Sequence, residues 1–570
     1  MDNTDKIRRD EETENIILNT KAKIAYFSME IGIEENIPTY SGGLGILAGD
    51  TLKSCADLSI PVVGVTLLSE KGYFHQKIDE HGNQIELPVS FTVEDVLKSL
   101  PKFVTVYIEN REVKIRAWLY QYEGINNYKV PIIFLDTNIE SNSQWDREIT
   151  KFLYGGDERY RLAQEIVLGI GGIRMLDMLG YKEIGIFHMN EGHAALSTIE
   201  LFSRFKDIEK VREKCVFTTH TPVAAGHDQF EIPMAKSMIG DILPDSILDE
   251  ITLYGKLNMT KLALFFSHYI NGVAKKHGEI SRMMFPGYSI DSITNGVHAA
   301  TWTCSSFKKL FDKYIPGWRS DTFMLRSAFS INPDEIWNAH MESKKTLIDF
   351  INYSGACDMN TEDFTIGFAR RQTAYKRPDL LISNPDKLIE ISKKVGPIQI
   401  IYSGKAHPRD YSGKEAIKKI CGLTKELNKD IKMYFVPNYD ISIAKMMVSG
   451  VDLWLNTPQR PNEASGTSGM KAACNGVPQL GTLDGWWIEG CIENITGWSI
   501  GPINIEDNQP SDYEVDSKDL YNKLENKIIP KFYNNRDSWV KIMRRCIAIN
   551  GSFFNTNRMV QQYVLNAYFK

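Results

Sequence analysis

Asn462 to Val477 reads Asn-Glu-Ala-Ser-Gly-Thr-Ser-Gly-Met-Lys-Ala-Ala-Cys-Asn-Gly-Val. The run follows a mostly apolar segment from Val451 to Leu455, with the look of a buried strand, and leads into good helix formers. Strand, small-residue loop, helix is the expected order. Such a loop leaves the first helical N–H groups unpaired and lets a ligand approach them, so Ser465 to Gly469 is an expected anion site. Lys471 falls in the first turn or two of that helix. A lysine partly buried beside such a site has a lowered pKa and a free lone pair, which suits Schiff-base chemistry. An ordinary solvent-facing helix lysine has the same local sequence, so the rest of the chain must decide.

Other predicted strand ends carry related chemistry. Gly42-Gly43-Leu44-Gly45 precedes a helical pattern and offers exposed N–H groups to an oxyanion, although close backbone packing explains the glycines equally well. Arg370-Arg371, Tyr375-Lys376-Arg377, Gly404-Lys405 and Asn438-Tyr439 end successive strands of the second half. Adjacent arginines at a strand end suit phosphate, because the guanidinium fork matches its oxygens. In the first half, Asn190-Glu191-Gly192-His193 and Thr219-His220-Thr221-Pro222 stand where an open α/β sheet places its ligands. His268 is bounded by apolar residues, and for it, as for His193 and His220, a hydrogen-bonded structural histidine is the competing reading.

The elements that must position these groups follow from length and periodicity. A chain of 570 residues exceeds one core, and two domains are expected, residues 1–297 and 298–570, with the break near Asn295-Gly296. Strands are expected at Lys23 to Met29, Val62 to Leu67, Gly185 to Met189 and Cys215 to Thr219, with antiparallel strands between Gly72 and Thr137. Leu262 to Phe266 reads as strand or helix start, and Ser292 to His298 as strand and turn. The second half alternates more cleanly, with strands at Phe364 to Ala369, Ile398 to Tyr402, Ile431 to Val436, Val451 to Asn456 and Pro478 to Leu480. Helices between them at Pro378 to Val395, Gly413 to Leu427, Ser442 to Val448 and Gly469 to Asn475 imply a parallel doubly wound sheet. Ser517 to Lys570 reads as helical, a terminal segment able to pack back on the first half.

Composition narrows the class. With 43% apolar and 24% charged residues and a net charge of −6, the chain reads as an ordinary soluble protein with no electrostatic call for nucleic acid. The eight cysteines are scattered without a C-x-x-C pair, so neither a disulfide framework nor a metal site is expected. Met1 to Glu14 is polar and lacks an apolar signal core, and no run reaches membrane-spanning length. A cytoplasmic protein without a membrane partner is the expectation.

In order along the chain, these motifs resemble the α-glucan phosphorylase family, enzymes that split glycogen, starch or maltodextrin with inorganic phosphate. The segments are Gly42-Gly43-Leu44-Gly45, Asn190 to His193, Thr219-His220-Thr221, Ser267-His268 with Asn271 to Ala274, Thr294-Asn295-Gly296 with Trp302, Arg370-Arg371 through Arg377, and Glu463 to Lys471. The resemblance spans about Tyr26 to Glu489. It implies a GT-B fold, two Rossmann-like domains facing a central cleft, with pyridoxal 5'-phosphate on Lys471. It further implies phosphorolysis of α-1,4-glucans at the non-reducing end, with retention, releasing α-D-glucose 1-phosphate.

By the same resemblance Thr467, Ser468, Gly466 and Arg370 hold the cofactor phosphate, and Tyr439 and Trp302 line its cleft. Arg371, Lys376 and the Gly43 backbone match positions that bind the substrate phosphate. His268, Asn295, Glu463 and Ser465 match the terminal-glucose pocket, the His268 carbonyl facing an oxocarbenium-like transition state. Leu44, Glu191, His193 and His220 are carried over as further substrate-side positions. In this scheme Lys471 is an anchor, and the cofactor's phosphate assists a proton through the substrate phosphate. Partners are then α-1,4-glucan and inorganic phosphate, with self-association open. The chain departs from the long animal and plant enzymes in its length, in Trp486-Trp487, in Arg370 for a lysine, and at Asn190-Glu191-Gly192. Two other readings of the same fold are a non-catalytic glucan-binding protein and a nucleotide-sugar glycosyltransferase.

Overall fold

A nine-stranded sheet runs in the order 291–292, 269–272, 215–218, 186–190, 24–27, 62–67, 129–136, 111–123, 98–108. The computed structural model to which it belongs describes residues 21–569 except 90, 224–225, 356, 428 and 503–509, so the polar start read at Met1 to Glu14 lies outside the described residues. The first seven strands in that order are parallel, and the last two are antiparallel. Sequence pattern explains the change. Val62–Leu67 is buried throughout, as a strand covered on both faces must be, whereas Lys98–Ile108 alternates buried and exposed positions and wets one face.

A second sheet of six strands, all parallel, runs 432–436, 398–403, 364–369, 453–456, 479–482, 497–500. Both sheets therefore reverse their strand order beside a central strand, Ile24–Phe27 in one and Phe364–Ala369 in the other. A crevice opens beyond the carboxyl end at such a reversal, where flanking loops diverge. The chain is thus an α/β protein with two helix-covered, mainly parallel sheets.

Several expected elements take another form. Leu262 to Phe266, read as strand or helix start, resolves as the end of the helix Met259–Phe265, which the Asn258 side chain caps by accepting the Lys261 N–H at 2.8 Å. Pro378 to Val395 divides into a short turn and the helix Pro385–Val395, since Asn384 caps a new start with proline at the first position. Ser292 to His298 contributes only Asp291–Ser292 as strand. Gly497–Ile500 is a strand that sequence reading omitted.

The two halves meet along specific contacts. Tyr40 Oη accepts the Ile441 N–H at 3.2 Å, and Lys445 pairs with Glu35 at 2.8 Å. The terminal helix Thr556–Tyr563 lies against the helix Gly43–Asp57, where Ser54 bonds Thr556 and Asn557, both at 2.6 Å. Gly296 touches this terminal segment so closely that a Cβ there would stand 2.2 Å from the Asn555 carbonyl carbon.

Candidate active site

The reversal in the second sheet gathers charge. Arg370 follows the central strand and donates to Asn456 Oδ1, at the end of the neighbouring strand, and to Glu463 Oε2 at 2.5 Å. Lys376 donates to the same carboxylate oxygen. Burial pushes the Glu463 carboxyl up, but the two cations outweigh it and hold the group at about 2. Arg371 is exposed, and the half-buried Tyr73 lies in the fields of both Arg371 and Glu30 of the first half. Arg377 turns away, bonding the Thr457 and Pro458 carbonyls and Asp516.

The loop from Glu463 to Gly469 is shaped by neighbours without room to spare. Asp484 accepts the Glu463 N–H at 2.8 Å, and burial raises its own carboxyl to about 7. Gly466 has φ +73°, a left-handed conformation suited to glycine. A Cβ at Gly469 would meet Gln479 Oε1 at 1.7 Å and Trp486 Cζ2 at 2.8 Å, so a side chain there would displace the Gln479 amide and press on the buried indole. Among the described residues, Ser465 Oγ, both polar atoms of the Gln479 amide and Trp486 Nε1 are buried without a hydrogen-bond partner, as is Arg370 Nε. Unpartnered polar atoms concentrated around one small-residue loop are what an anionic ligand would satisfy. Thr467 flanks the helix Ser468–Ala473, and the Ser468 hydroxyl accepts from Trp454 Nε1 at 3.1 Å.

Lys471 projects from that helix into the seam between the halves. Its Nζ stands 3.8 Å from the centroid of the buried Trp302 ring, and among the described residues no hydrogen bond or ion pair engages it. Burial lowers it to about 8, opposed by the charge of Asp50. Tyr439, near Arg370, follows Asn438, which exchanges hydrogen bonds with Gln76 of the first half. Trp486 and Trp487 are both fully buried in the core.

The first sheet supplies neutral groups. Gly43 opens the helix Gly43–Asp57, with Leu44 next to it, and a Cβ at Gly42 or Gly43 would meet nothing within 4 Å. Glu30 shapes this turn by accepting the Gly42 N–H at 3.3 Å and the Tyr154 hydroxyl at 2.9 Å. Glu191 sits at φ +79°, a strained conformation for glutamate, held because its carboxylate accepts the Gly192 and His220 N–H groups and the Thr221 hydroxyl. His220 Nε2 bonds Asn190 Oδ1 at 2.6 Å, and His193 faces Asp228 at 3.4 Å. Burial holds His193 and His220 down to about 3, so both rings are neutral near pH 7.

His268 does not join this group. It precedes the strand Tyr269–Gly272, its N–H reaches the Cys215 carbonyl at the start of the neighbouring strand, and its exposed ring faces the Arg212 and Ala567 carbonyls. Parallel strands place both starts at the amino edge, opposite the ligand edge, and that position overturns the role carried over for His268. The histidine beyond the carboxyl end of that strand is His277, fully buried, whose Nδ1 accepts the Val273 N–H at 3.1 Å and whose ring also interacts with the Thr221 backbone. It lies close enough to His220 for their charges to interact, and burial holds it down to about 4. The motif Asn271 to Ala274 ends three residues before it, and that proximity was the available signal. Asn295 bonds Val273 through its N–H and receives Arg558 on its carbonyl, leaving Oδ1 buried and unpartnered.

Comparison with known proteins identifies the family. The family described as carbohydrate phosphorylase matches residues 231–497. The maltodextrin phosphorylase of Thermococcus litoralis is 38% identical over 96% of this chain and 70% of its own length. The glycogen phosphorylase of Aquifex aeolicus is 34% identical over 96% of this chain and 86% of its own. An uncharacterized protein of Methanocaldococcus jannaschii is 32% identical over 95% of this chain and 99% of its own. The chain belongs to the carbohydrate phosphorylase family.

Proposed function

We propose that the protein is a cytoplasmic α-1,4-glucan phosphorylase of GT-B architecture, dependent on pyridoxal phosphate, that releases α-D-glucose 1-phosphate with retention. The observation that carries this reading is Lys471, buried, lowered to about 8 and, among the described residues, without a hydrogen-bond partner, beside a loop whose polar atoms are likewise unpartnered among those residues. The names of the maltodextrin and glycogen phosphorylase relatives support the substrate class.

The residues present fit the cofactor. Lys471 would hold it, with Gly466, Thr467, Ser468 and Arg370 around its phosphate and Trp302 and Tyr439 along its ring. When bound, it supplies a phosphate group able to hold or give a proton. Arg371, Lys376 and the helix N-terminus at Gly43 are cationic or partially positive groups suited to inorganic phosphate. Glu463 neutralises part of this charge, so the site retains both anion affinity and a carboxylate acceptor for sugar hydroxyls. Ser465, Asn295, His193, His220 and His277 would hold the terminal glucose through neutral hydrogen bonds, with the Glu191 carboxylate fixing the His220 and Thr221 backbone beside them. Phosphate held against the glycosidic oxygen stabilises oxocarbenium-like charge and attacks from the face the glucan leaves.

Phosphorolysis measured on maltooligosaccharides and glycogen, with Lys471→Ala as control, tests the reading. The expected result is phosphate-dependent release of glucose 1-phosphate by the parent only. Borohydride reduction followed by peptide mapping should place the cofactor on Lys471. No cofactor, or cofactor on another lysine, overturns the proposal.

A further inference from the structure

The helix Gly43–Asp57 reaches the site twice. Its first turn opens at Gly43, and two turns on, Asp50 enters the seam between the halves. Asp50 is 3% exposed, and its Oδ2 accepts the Trp302 Nε1–H at 2.7 Å and the His298 N–H at 3.1 Å. The other side of the link is the Lys471 ammonium, 3.8 Å from the Trp302 ring centroid. Carboxylate, indole and amine thus form one buried series across three separate parts of the chain.

Physical chemistry gives that series a direction. An acceptor on the indole N–H polarises the ring and enriches its face in electron density, which strengthens its attraction for a cation. The carboxylate charge also acts directly, because water is excluded and screening is weak. Among the described residues no carboxylate forms an ion pair with Lys471, so Asp50 is the charge that offsets its desolvation. Lys53 and Tyr122, and Cys474 beside Lys471, also lie in the field of Asp50.

We propose that Asp50 is a positioning residue for Lys471, acting through Trp302: it fixes the ring beneath the amine and sets how much of the amine is unprotonated for cofactor capture. This rests on the reading that Lys471 carries pyridoxal phosphate. Capture is a condensation in which the neutral amine nitrogen adds to the aldehyde carbon. The aldehyde oxygen leaves as water with the two hydrogens of the amine, so no oxidant or reductant is needed. Asp50 slows capture at low pH by favouring the ammonium and keeps the lysine seated once it reacts.

The test measures the rate of pyridoxal phosphate capture by cofactor-free protein across pH, by visible absorbance and by borohydride trapping. Asp50→Asn keeps an oxygen acceptor for Trp302 and removes the charge. Its capture midpoint should fall by about one unit, with several-fold faster capture below the midpoint. Asp50→Glu should restore the parent profile. Asp57→Asn is the control for a buried carboxylate on the same helix, 2.8 Å from His298 Nε2, and should leave the midpoint in place. Asp50→Ser gives the same readout should the asparagine variant fail to fold. An Asp50→Asn or Asp50→Ser profile that overlaps the parent, or one matched by Asp57→Asn, overturns the inference while leaving the cofactor reading intact. Failure of the parent to capture the cofactor at Lys471 overturns the reading beneath it.

Discussion

The carboxyl ends of the two sheets gather different residues, and on the proposed function they would meet different binding problems. Around the second sheet, Arg370, Lys376 and Glu463 are charged, paired and buried, and their mutual attraction keeps the carboxyl at about 2. Around the first sheet, His193, His220 and His277 are buried without enough opposing charge, and all are held neutral. A multiply charged ligand such as phosphate is bound through fixed cations. A sugar is bound through neutral donors and acceptors, which discriminate by geometry and lose little when water is excluded. The contrast follows from desolvation: a buried ion persists only beside a counter-ion, and an imidazole without one sheds its proton.

The largest expected effect comes from deleting the amine between the two sheets. Lys471→Ala should lose covalently held cofactor and more than about 10³-fold in activity, read by absorbance and phosphorolysis. Next, Arg371→Ala should raise the KM for phosphate and lower kcat/KM by roughly 10²-fold, about 3 kcal/mol, with the glucan KM little changed. An equal loss toward both substrates would break the division between the two sheets.

Acidification separates the two sheets by stability. His193 and His220 titrate near 3 when folded and near 6.5 when unfolded, so below about pH 6.5 the unfolded chain takes up protons that the folded chain refuses. Stability should fall with pH, by roughly 2 kcal/mol per histidine at about pH 5. The contribution of Glu463 has the opposite origin and a lower window. Its folded value of about 2 lies below the ordinary carboxyl value, so its stabilisation is complete above about pH 4.5 and is lost as pH falls toward 2. Denaturant melts between about pH 7 and 5 should therefore flatten in His220→Asn and keep the parent slope in Glu463→Gln. A smaller effect is expected at His277→Ala, about a tenfold rise in the glucan KM with phosphate affinity retained, since it removes one neutral hydrogen-bonding group. A matching His268→Ala should stay near the parent.

The outcome at the two histidines shows how far local sequence reaches. His268 and His277 flank the same strand, Tyr269–Gly272. Nothing in residue spacing says which end of the strand faces the cleft, because that depends on the direction of its partners in the sheet. Arg370 and Arg377 present the same problem on a smaller scale. One reaches Glu463, and the other, at φ +46°, bonds backbone carbonyls and Asp516.

What the sequence determined by itself is the alternating α/β order, the strand at Phe364–Ala369 with its trailing arginines, and the small-residue loop before Lys471. These are local: apolar runs, glycines and caps act within a few residues. Tertiary structure decided which residues meet. Asp50, Trp302 and Lys471 converge from separate segments, His277 and not His268 lies beyond the carboxyl end of Tyr269–Gly272, and Glu191 is held at φ +79° by groups 29 and 30 residues away. Burial and charge pairing, which shift Glu463, Lys471 and the buried histidines, exist only once those segments are packed together.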